Sequence, residues 1–247
     1  MGIIKVGSCG WSYLNAEKYV PRWKDKFKSK LQVYAKLFDL VEINSTFYRI
    51  PKLSTARKWR EEADEVNEGF EFTVKVSQLI THKDPFGKQS LWAFERMKEI
   101  ARELRAKILL FQSPASFKPT EDNLEKARGF FEKIDRDDFV LVWEVRWAKD
   151  WTKEIVRRVF SKLGLNQCID PFRQECFYAN SVIYYRLHGF GKPSMYNYGF
   201  SEEELKTLAN NVRQQKKPVY VLFNNASCYE DGLVLKRLLF GSQKSST

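Results

Sequence analysis

The sequence predicts a single α/β domain, a (β/α)8 barrel of the TIM type. Three observations lead there: eight strand-like runs alternate with helix-like segments, the length of 247 residues fits one such barrel, and no stretch between the units has the composition of a linker. Alternation of this kind builds a parallel sheet with crossover helices. Eight units in this length fit a closed barrel better than an open doubly wound sheet. No Gly-x-Gly-x-x-Gly or phosphate-loop pattern follows any strand, which weighs against dinucleotide-binding and P-loop proteins. The barrel is expected over residues 1–240, with 241–247 as a polar tail that frays.

In chain order, the first strand is Ile3 to Ser8, followed by the loop Gly10-Trp11-Ser12-Tyr13. A basic, aromatic segment from Tyr19 to Lys30 leads to Leu31, Tyr34, Ala35, Leu37 and Phe38 at helical spacing. Leu40 to Asn44 is the second strand. Pro51 and Ser54 mark a loop and an N-cap before an amphipathic helix to about Val66. Phe70 to Val76 alternates as the third strand, running on into Gln78-Leu79-Ile80-Thr81-His82, and Ser90 to Arg105 is a strong helix. Ile108 to Gln112 is the fourth strand, and Thr120 with Asn123 opens a helix over Leu124 to Ile134.

Phe139 to Arg146 is the fifth strand, and Thr152 can cap a helix from Lys153 to Leu163. Leu165 to Asp170 is a short sixth strand, while Phe172 to Asn180 is ambiguous. Val182 to His188 is the seventh strand. After a loop rich in glycine and tyrosine, Ser201-Glu202-Glu203-Glu204 reads as an N-cap with acidic residues in the first helical turn. Val219 to Phe223 is the eighth strand, and Gly232 to Leu239 the last helix.

Apolar residues make up 43% of the chain and aromatics 15%, enough for a sizeable core. No apolar run approaches the ~20 residues of a membrane span. The first residues pass straight into a strand pattern with no signal-peptide hydrophobic region. The cysteines Cys9, Cys168, Cys176 and Cys228 lack Cys-x-x-Cys spacing, as in a reduced intracellular chain. A cytoplasmic location is therefore expected. The net charge of +11 suits an anionic partner, a small molecule or nucleic acid. It equally suits helices that merely carry excess lysine.

Strand parity locates the chemistry. Side chains alternate between faces, so Val142, Glu144 and Arg146 share one face of the fifth strand. A carboxylate and a guanidinium inside an apolar run are costly to bury unless paired. The same polar ending recurs: Leu40, Glu42, Asn44; Thr73, Lys75; Leu110, Gln112; Cys168, Asp170; Tyr184, Arg186, His188; Leu222, Asn224. Val41, Ile43, Val74, Val76, Val145 and Leu187 suit the helix-facing side. The inward face then turns polar at the C-terminal strand ends, where barrel active sites sit. Individual members have plainer explanations, such as Arg146 serving only to pair with Glu144.

The candidate catalytic residues are Glu42, Glu144, His188 and Asp170. The candidate substrate-binding residues are Trp11, Asn44, Tyr48, Lys75, His82, Gln112, Arg146, Arg186 and Asn224. Histidine is scarce, with only His82 and His188, so a multi-zinc site is poorly supported. One divalent ion held by Glu42, Glu144 or Asp170 with His188 is compatible with these residue types. Beyond that ion, the sequence leaves the cofactor open. Loop aromatics, among them Trp11, Tyr48, Trp147, Tyr196 and Tyr198, can stack on rings or simply cover the rim.

Several motifs resemble those of the YecE-like family: Gly10-Trp11-Ser12-Tyr13, Val41-Glu42-Ile43-Asn44-Ser45-Thr46-Phe47-Tyr48, and Lys75 with Thr81-His82. Gln112-Ser113-Pro114-Ala115-Ser116-Phe117, Glu144-Val145-Arg146-Trp147, Tyr185-Arg186-Leu187-His188-Gly189 and Phe223-Asn224-Asn225 extend the likeness over nearly the whole chain. The resemblance implies a TIM-type barrel with the matching residues around its pocket, and no settled activity. Barrels of this kind have been linked by fold analogy to endonuclease-IV-like and xylose-isomerase-like enzymes. Trp147 stands where the family often has a histidine, and Ala226 to Gly232 lacks its usual Asn-Ala step.

The leading expectation is an enzyme acting on a phosphate-bearing or nucleic-acid substrate, a nuclease- or phosphodiesterase-like hydrolase. Arg146, Arg186 and Lys75 would neutralise charge, Glu42 or Glu144 would act as base, and His188 as acid or base. A sugar-type isomerase or lyase and a non-catalytic nucleic-acid-binding protein are the alternatives.

Overall fold

The computed structural model describes residues 2–146 and 149–241. Eight parallel strands close into a barrel in sequence order: β1 (Ile4–Ser8), β2 (Leu40–Ile43), β3 (Glu71–Lys75), β4 (Ile108–Ser113), β5 (Val140–Val145), β6 (Asn166–Ile169), β7 (Ile183–Leu187) and β8 (Val219–Phe223). β8 pairs with β1 from Ile4–Val219 to Ser8–Phe223, so no strand edge is left open. Gly7 makes the closure with β2 feasible, because a Cβ there would lie 2.0 Å from the Leu40 carbonyl oxygen.

The helices are α1 (Ala16–Tyr19), α2 (Lys30–Leu37), α3 (Leu53–Asp64), α4 (Gln78–Thr81), α5 (Ser90–Glu103), α6 (Glu121–Lys133), α7 (Lys153–Leu163), α8 (Glu202–Gln214) and α9 (Cys228–Phe240). Among the described residues no helix lies between β6 and β7, which settles the ambiguous stretch 172–180 as irregular chain. None of the described helices is long and apolar enough to cross a membrane.

Strand parity governs the core. Leu40, Leu110, Val142, Cys168, Tyr184 and Leu222 pack together inside the barrel. Val41, Ile43, Val74, Val76, Trp143 and Val145 point outward into the cluster shared with the surrounding helices. Leu187, Val221 and Phe223 do the same beside α8 and α9. The outer layer is aromatic: Trp143 stacks on Phe160 at 5.3 Å and meets Phe131 at 5.5 Å. Each such side chain removed from water contributes roughly 1.5–3 kcal/mol. The indole N–H of Trp143 donates to Ser113 Oγ at 2.9 Å, so its burial leaves no orphan donor.

Thr120, Thr152 and Ser201 cap α6, α7 and α8, each side chain accepting a backbone N–H of the first turn. At Ser201 the cap is reciprocal, since Glu204 reaches back to the Ser201 N–H at 2.8 Å. Three local expectations need correction. Ser54 lies inside α3, which opens after Lys52 without a side-chain cap. The run after β3 is the short helix α4 rather than strand, because Ser77 Oγ accepts the Leu79 N–H and turns the chain. α9 begins at Cys228 rather than Gly232. Gly232 is interior to that helix, where a Cβ would meet the Phe38 ring at 2.9 Å.

Candidate active site

The inward face becomes polar where each strand ends. Arg186, near the end of β7, is completely buried and lies at the centre. Its Nη2 and Nε donate to the two oxygens of Glu42 at 2.8 and 3.1 Å, and its Nη1 donates to Glu144 Oε2 at 2.5 Å. The other Glu144 oxygen accepts from Arg146 Nε at 2.8 Å. Tyr184 donates to Glu42 at 3.0 Å and contacts Thr73 at 2.8 Å, which ties β2, β3 and β7 together. Cys9 lies 3.7 Å from Arg186 Nη2, and the Cys168 thiol 3.8 Å from Glu144.

A buried carboxylate or guanidinium is costly alone and tolerable when its lone pairs and protons are met. Here every carboxylate oxygen of Glu42 and Glu144 accepts from a guanidinium. Burial alone would raise the Glu144 carboxyl. Arg186, His188 and Arg146 outweigh burial and hold it well below the usual carboxylate range. Burial likewise works against the Arg186 cation, but Glu42 and Glu144 keep it firmly charged.

Around this base stand groups turned to the mouth. Arg146 Nη2 lies 3.2 Å from Tyr196 Oη, 3.4 Å from Gln112 Oε1 and 3.5 Å from His188 Nε2. The His188 backbone N–H donates to Asp170 Oδ2 at 3.0 Å, and its Nδ1 lies 3.4 Å from the same oxygen. Asp170 also pairs with Arg173 at 3.6 Å. Lys75, the last residue of β3, is 5% exposed, and its Nζ sits 3.9 Å above the Phe47 ring. Burial, aided by Arg186 and Arg146 and opposed by Glu42 and Glu144, lowers its pKa to about 8. His82 packs on Phe47 at 4.8 Å, and burial with the Lys75 charge lowers it to about 4.

A cavity of about 590 Å³ opens beside this cluster, above the β8–β1–β2 sector. Trp11, Asn44, Tyr48 and Asn224 line it, and Cys9 joins its wall to Arg186. Trp11 meets Trp59 edge to face at 5.3 Å. Two amide oxygens in the cavity-lining residues, Asn44 Oδ1 and Asn225 Oδ1, are buried without a hydrogen-bond partner among the described residues.

The strand-end candidates thus fall into two groups. Glu42, Lys75, Gln112, Glu144, Arg146, Asp170, Arg186 and His188 form the central cluster, whereas Trp11, Asn44, Tyr48 and Asn224 belong to the lateral cavity. His82 borders the central cluster, sharing the Phe47 ring with Lys75 and feeling the charges of Lys75, Arg146 and Glu144. The single-ion metal site expected from Glu42, Glu144, Asp170 and His188 does not fit. Among the described residues no three such ligands converge, and the Arg186 guanidinium fills the place between the two glutamates. Trp147 lies outside the described residues.

Sequence reasoning did not single out Trp59, Asn225 or Tyr229 as cavity residues, nor Arg173 as the partner of Asp170. Trp59 and Tyr229 sit on helices, where strand parity carries no signal. The family motif containing Asn225 was the one available pointer to it.

The family model described as protein of unknown function DUF72 matches residues 5–240. The chain belongs to the DUF72 family. This member is 25% identical over 260 residues to the UPF0759 protein YunF of Bacillus subtilis, covering 91% of this chain and 89% of YunF. It is 28% identical to YecE of Escherichia coli K12 over 68% of this chain, and spans 58% of YecE's length. The crystal structure of a DUF72 family protein from Thermotoga maritima superposes with a TM-score of 0.68 at 27% identity, covering 96% of this chain and 99% of the other. Barrels outside the family, SacUVDE and D-psicose 3-epimerase, match at TM-scores of 0.61 and 0.56 with 11% and 12% identity. These two likenesses establish the TIM-barrel fold alone.

Proposed function

We propose that this DUF72 protein is an enzyme acting on a phosphate-bearing substrate at the C-terminal mouth of the barrel. The observation that carries the proposal is the charge balance of the buried cluster. Among the described residues the cluster sets Arg186, Arg146, Arg173 and Lys75 against three carboxylates, of which Glu42 and Glu144 are engaged by Arg186 and Arg146 and Asp170 by Arg173. One cation at the mouth is left to be met by a ligand, and buried cations are expensive unless met.

This reading changes the roles expected from sequence. Arg186 is enclosed by Glu42 and Glu144, so it serves as the rigid base of the site. Glu42 and Glu144 hold that base, and Glu144 also orients Arg146, so their oxygens are spent on guanidinium groups. Arg146 and Lys75 are the anion-binding groups. His188 is the proton carrier: Nδ1–H directed at Asp170 fixes the ring, and Nε2 remains as the basic nitrogen toward Arg146. Gln112 and Tyr196 position the guanidinium.

The lateral cavity supports a ring-bearing substrate. Trp11, Tyr48 and Trp59 offer aromatic surface, and the unpartnered oxygens of Asn44 and Asn225 call for N–H or O–H donors, as a base or sugar provides. The exposed loop cations Arg49, Lys52, Lys83, Lys88 and Lys192 follow the strand ends without a carboxylate at ion-pair distance among the described residues. They favour the larger, nucleic-acid form of such a substrate. Neighbouring folds include both SacUVDE and a sugar epimerase, so fold analogy does not choose between them.

Hydrolysis of bis(p-nitrophenyl) phosphate, followed by release of nitrophenolate, tests the reading. Turnover should fall by roughly 100-fold or more in His188→Ala and in Arg146→Gln. Equal turnover in wild type and both variants would remove these residues from the mechanism.

A further inference from the structure

Lys75 has a feature that anion binding alone does not require. Glu42 and Glu144 both act on its charge, yet neither makes an ion pair with its Nζ. Each of their four oxygens already accepts from Arg186 or Arg146, with Tyr184 and Cys168 adding further donors. Among the described residues Nζ has no hydrogen-bond acceptor, and it rests on the face of Phe47. The backbone beneath it is held, because the single Thr46 hydroxyl proton is shared between the Lys75 carbonyl oxygen at 2.6 Å and the Ile43 carbonyl oxygen at 2.7 Å. A largely buried amine with no acceptor among the described residues, rigidly placed at the end of a barrel strand, has the setting of a nucleophile.

We propose that Lys75 forms an imine with the carbonyl carbon of a phosphorylated aldehyde or ketone, such as a sugar phosphate in its open form. The neutral amine attacks the carbonyl carbon and forms the N–C bond. The C–O bond then breaks, and the oxygen leaves as water with the two amine hydrogens. No oxidant or reductant is needed. The product class is that of an isomerase or lyase, since a protonated imine withdraws electrons from the adjacent C–H or C–C bond. The inference rests on the phosphate-bearing reading above for its substrate class only: Lys75 as an ammonium attracts the incoming phosphate, and once its nitrogen is bonded to carbon the phosphate is held by Arg146.

The groups facing Lys75 decide how much neutral amine exists. Arg186 from β7 and Arg146 after β5 disfavour the ammonium, Glu42 from β2 and Glu144 from β5 favour it, and burial outweighs the carboxylates. His82 after α4 is held uncharged near neutrality and adds no positive charge. With the lysine lowered from 10.5 to about 8, roughly a tenth is neutral at pH 7, some 300-fold more than for an ordinary lysine.

The test is reductive trapping on the full chain at pH 7. Limiting pyridoxal 5′-phosphate, an aldehyde bearing a phosphate, is added and reduced with borohydride, and the labelled peptides are mapped by mass spectrometry. A parallel arm uses glycolaldehyde, which lacks phosphate, and both arms are repeated with excess inorganic phosphate. The expected result is label concentrated on Lys75, faster with the phosphorylated aldehyde, slowed by phosphate, and absent from that position in a folded Lys75→Arg variant. Label scattered over surface lysines with none enriched at Lys75 would overturn imine formation, and phosphate binding that persists alongside would leave the substrate-class reading standing. Equal labelling of Lys75 by both aldehydes, unaffected by phosphate, would keep the nucleophile and overturn the phosphate-bearing class.

Discussion

Arg186 and Lys75 are two buried cations with opposite fates. Arg186 has five donors in a fixed fork, which suits two carboxylates on opposite sides. Replacing it by methionine leaves Glu42 buried without its guanidinium and Glu144 with Arg146 alone, and the expected cost is about 3–5 kcal/mol in urea unfolding. Lys75 points the other way. Its folded pKa, about 8, lies below the 10.5 of an ordinary lysine. Between those values the unfolded chain holds more protons than the folded one, so stability from this group rises as pH increases from about 8 to about 10.5. Below pH 8 the buried ammonium is a liability on the order of 3 kcal/mol. Lys75→Met should therefore stabilise the protein at pH 7, with the advantage shrinking toward pH 10. A destabilised variant at pH 7 would mean that Lys75 has a structural partner.

Among the elements, the strands were legible in the sequence because their two faces differ in chemistry. Val41 and Ile43 face helices while Leu40 and Glu42 face the interior, and one slip of register would put Glu42 among the helices. Helix starts were legible where a side chain makes the cap, and at α5, which opens at Ser90 without one, from apolar periodicity alone. Thr152 and Ser201 announce α7 and α8, whereas α3 and α9 open without a side-chain cap and were misplaced. Ser201→Ala should cost about 1 kcal/mol in thermal or urea unfolding, because the Glu204 N–H loses its Ser201 Oγ acceptor while the backbone N–H of residue 201 keeps its bond to the Glu204 carboxylate. No change on that substitution would show that the cap is redundant.

At the scale of the whole molecule, the charge of +11 is divided unevenly. On the helices much of it is answered locally, as in Arg57 with Glu103, Lys98 with Glu95, and Lys206 with Glu202 and Glu203. At the mouth, among the described residues, Lys75 and the loop cations Arg49, Lys52, Lys83, Lys88 and Lys192 have no carboxylate at ion-pair distance. Parity could place the polar ring but not reveal which of its members are spent on one another. Arg186 looks from sequence like a phosphate ligand, and only the three-dimensional closure of β2, β5 and β7 around it makes it a strut. The lateral cavity was legible in part, through Trp11, Asn44, Tyr48 and Asn224. Its helix-borne wall, Trp59 and Tyr229, depends on how α3 and α9 pack against the barrel.

The central claim is that Arg146 and Lys75 at the barrel mouth bind the phosphate of a substrate. Calorimetric titration with inorganic pyrophosphate at low salt tests it most directly, comparing wild type with Arg146→Gln, Lys75→Met and the surface control Lys162→Met. The account predicts binding by wild type and the control, weakened by roughly tenfold or more in each of the other two and by added salt in all. Affinity unchanged by both mouth substitutions, or no binding by wild type even at low salt, would contradict it.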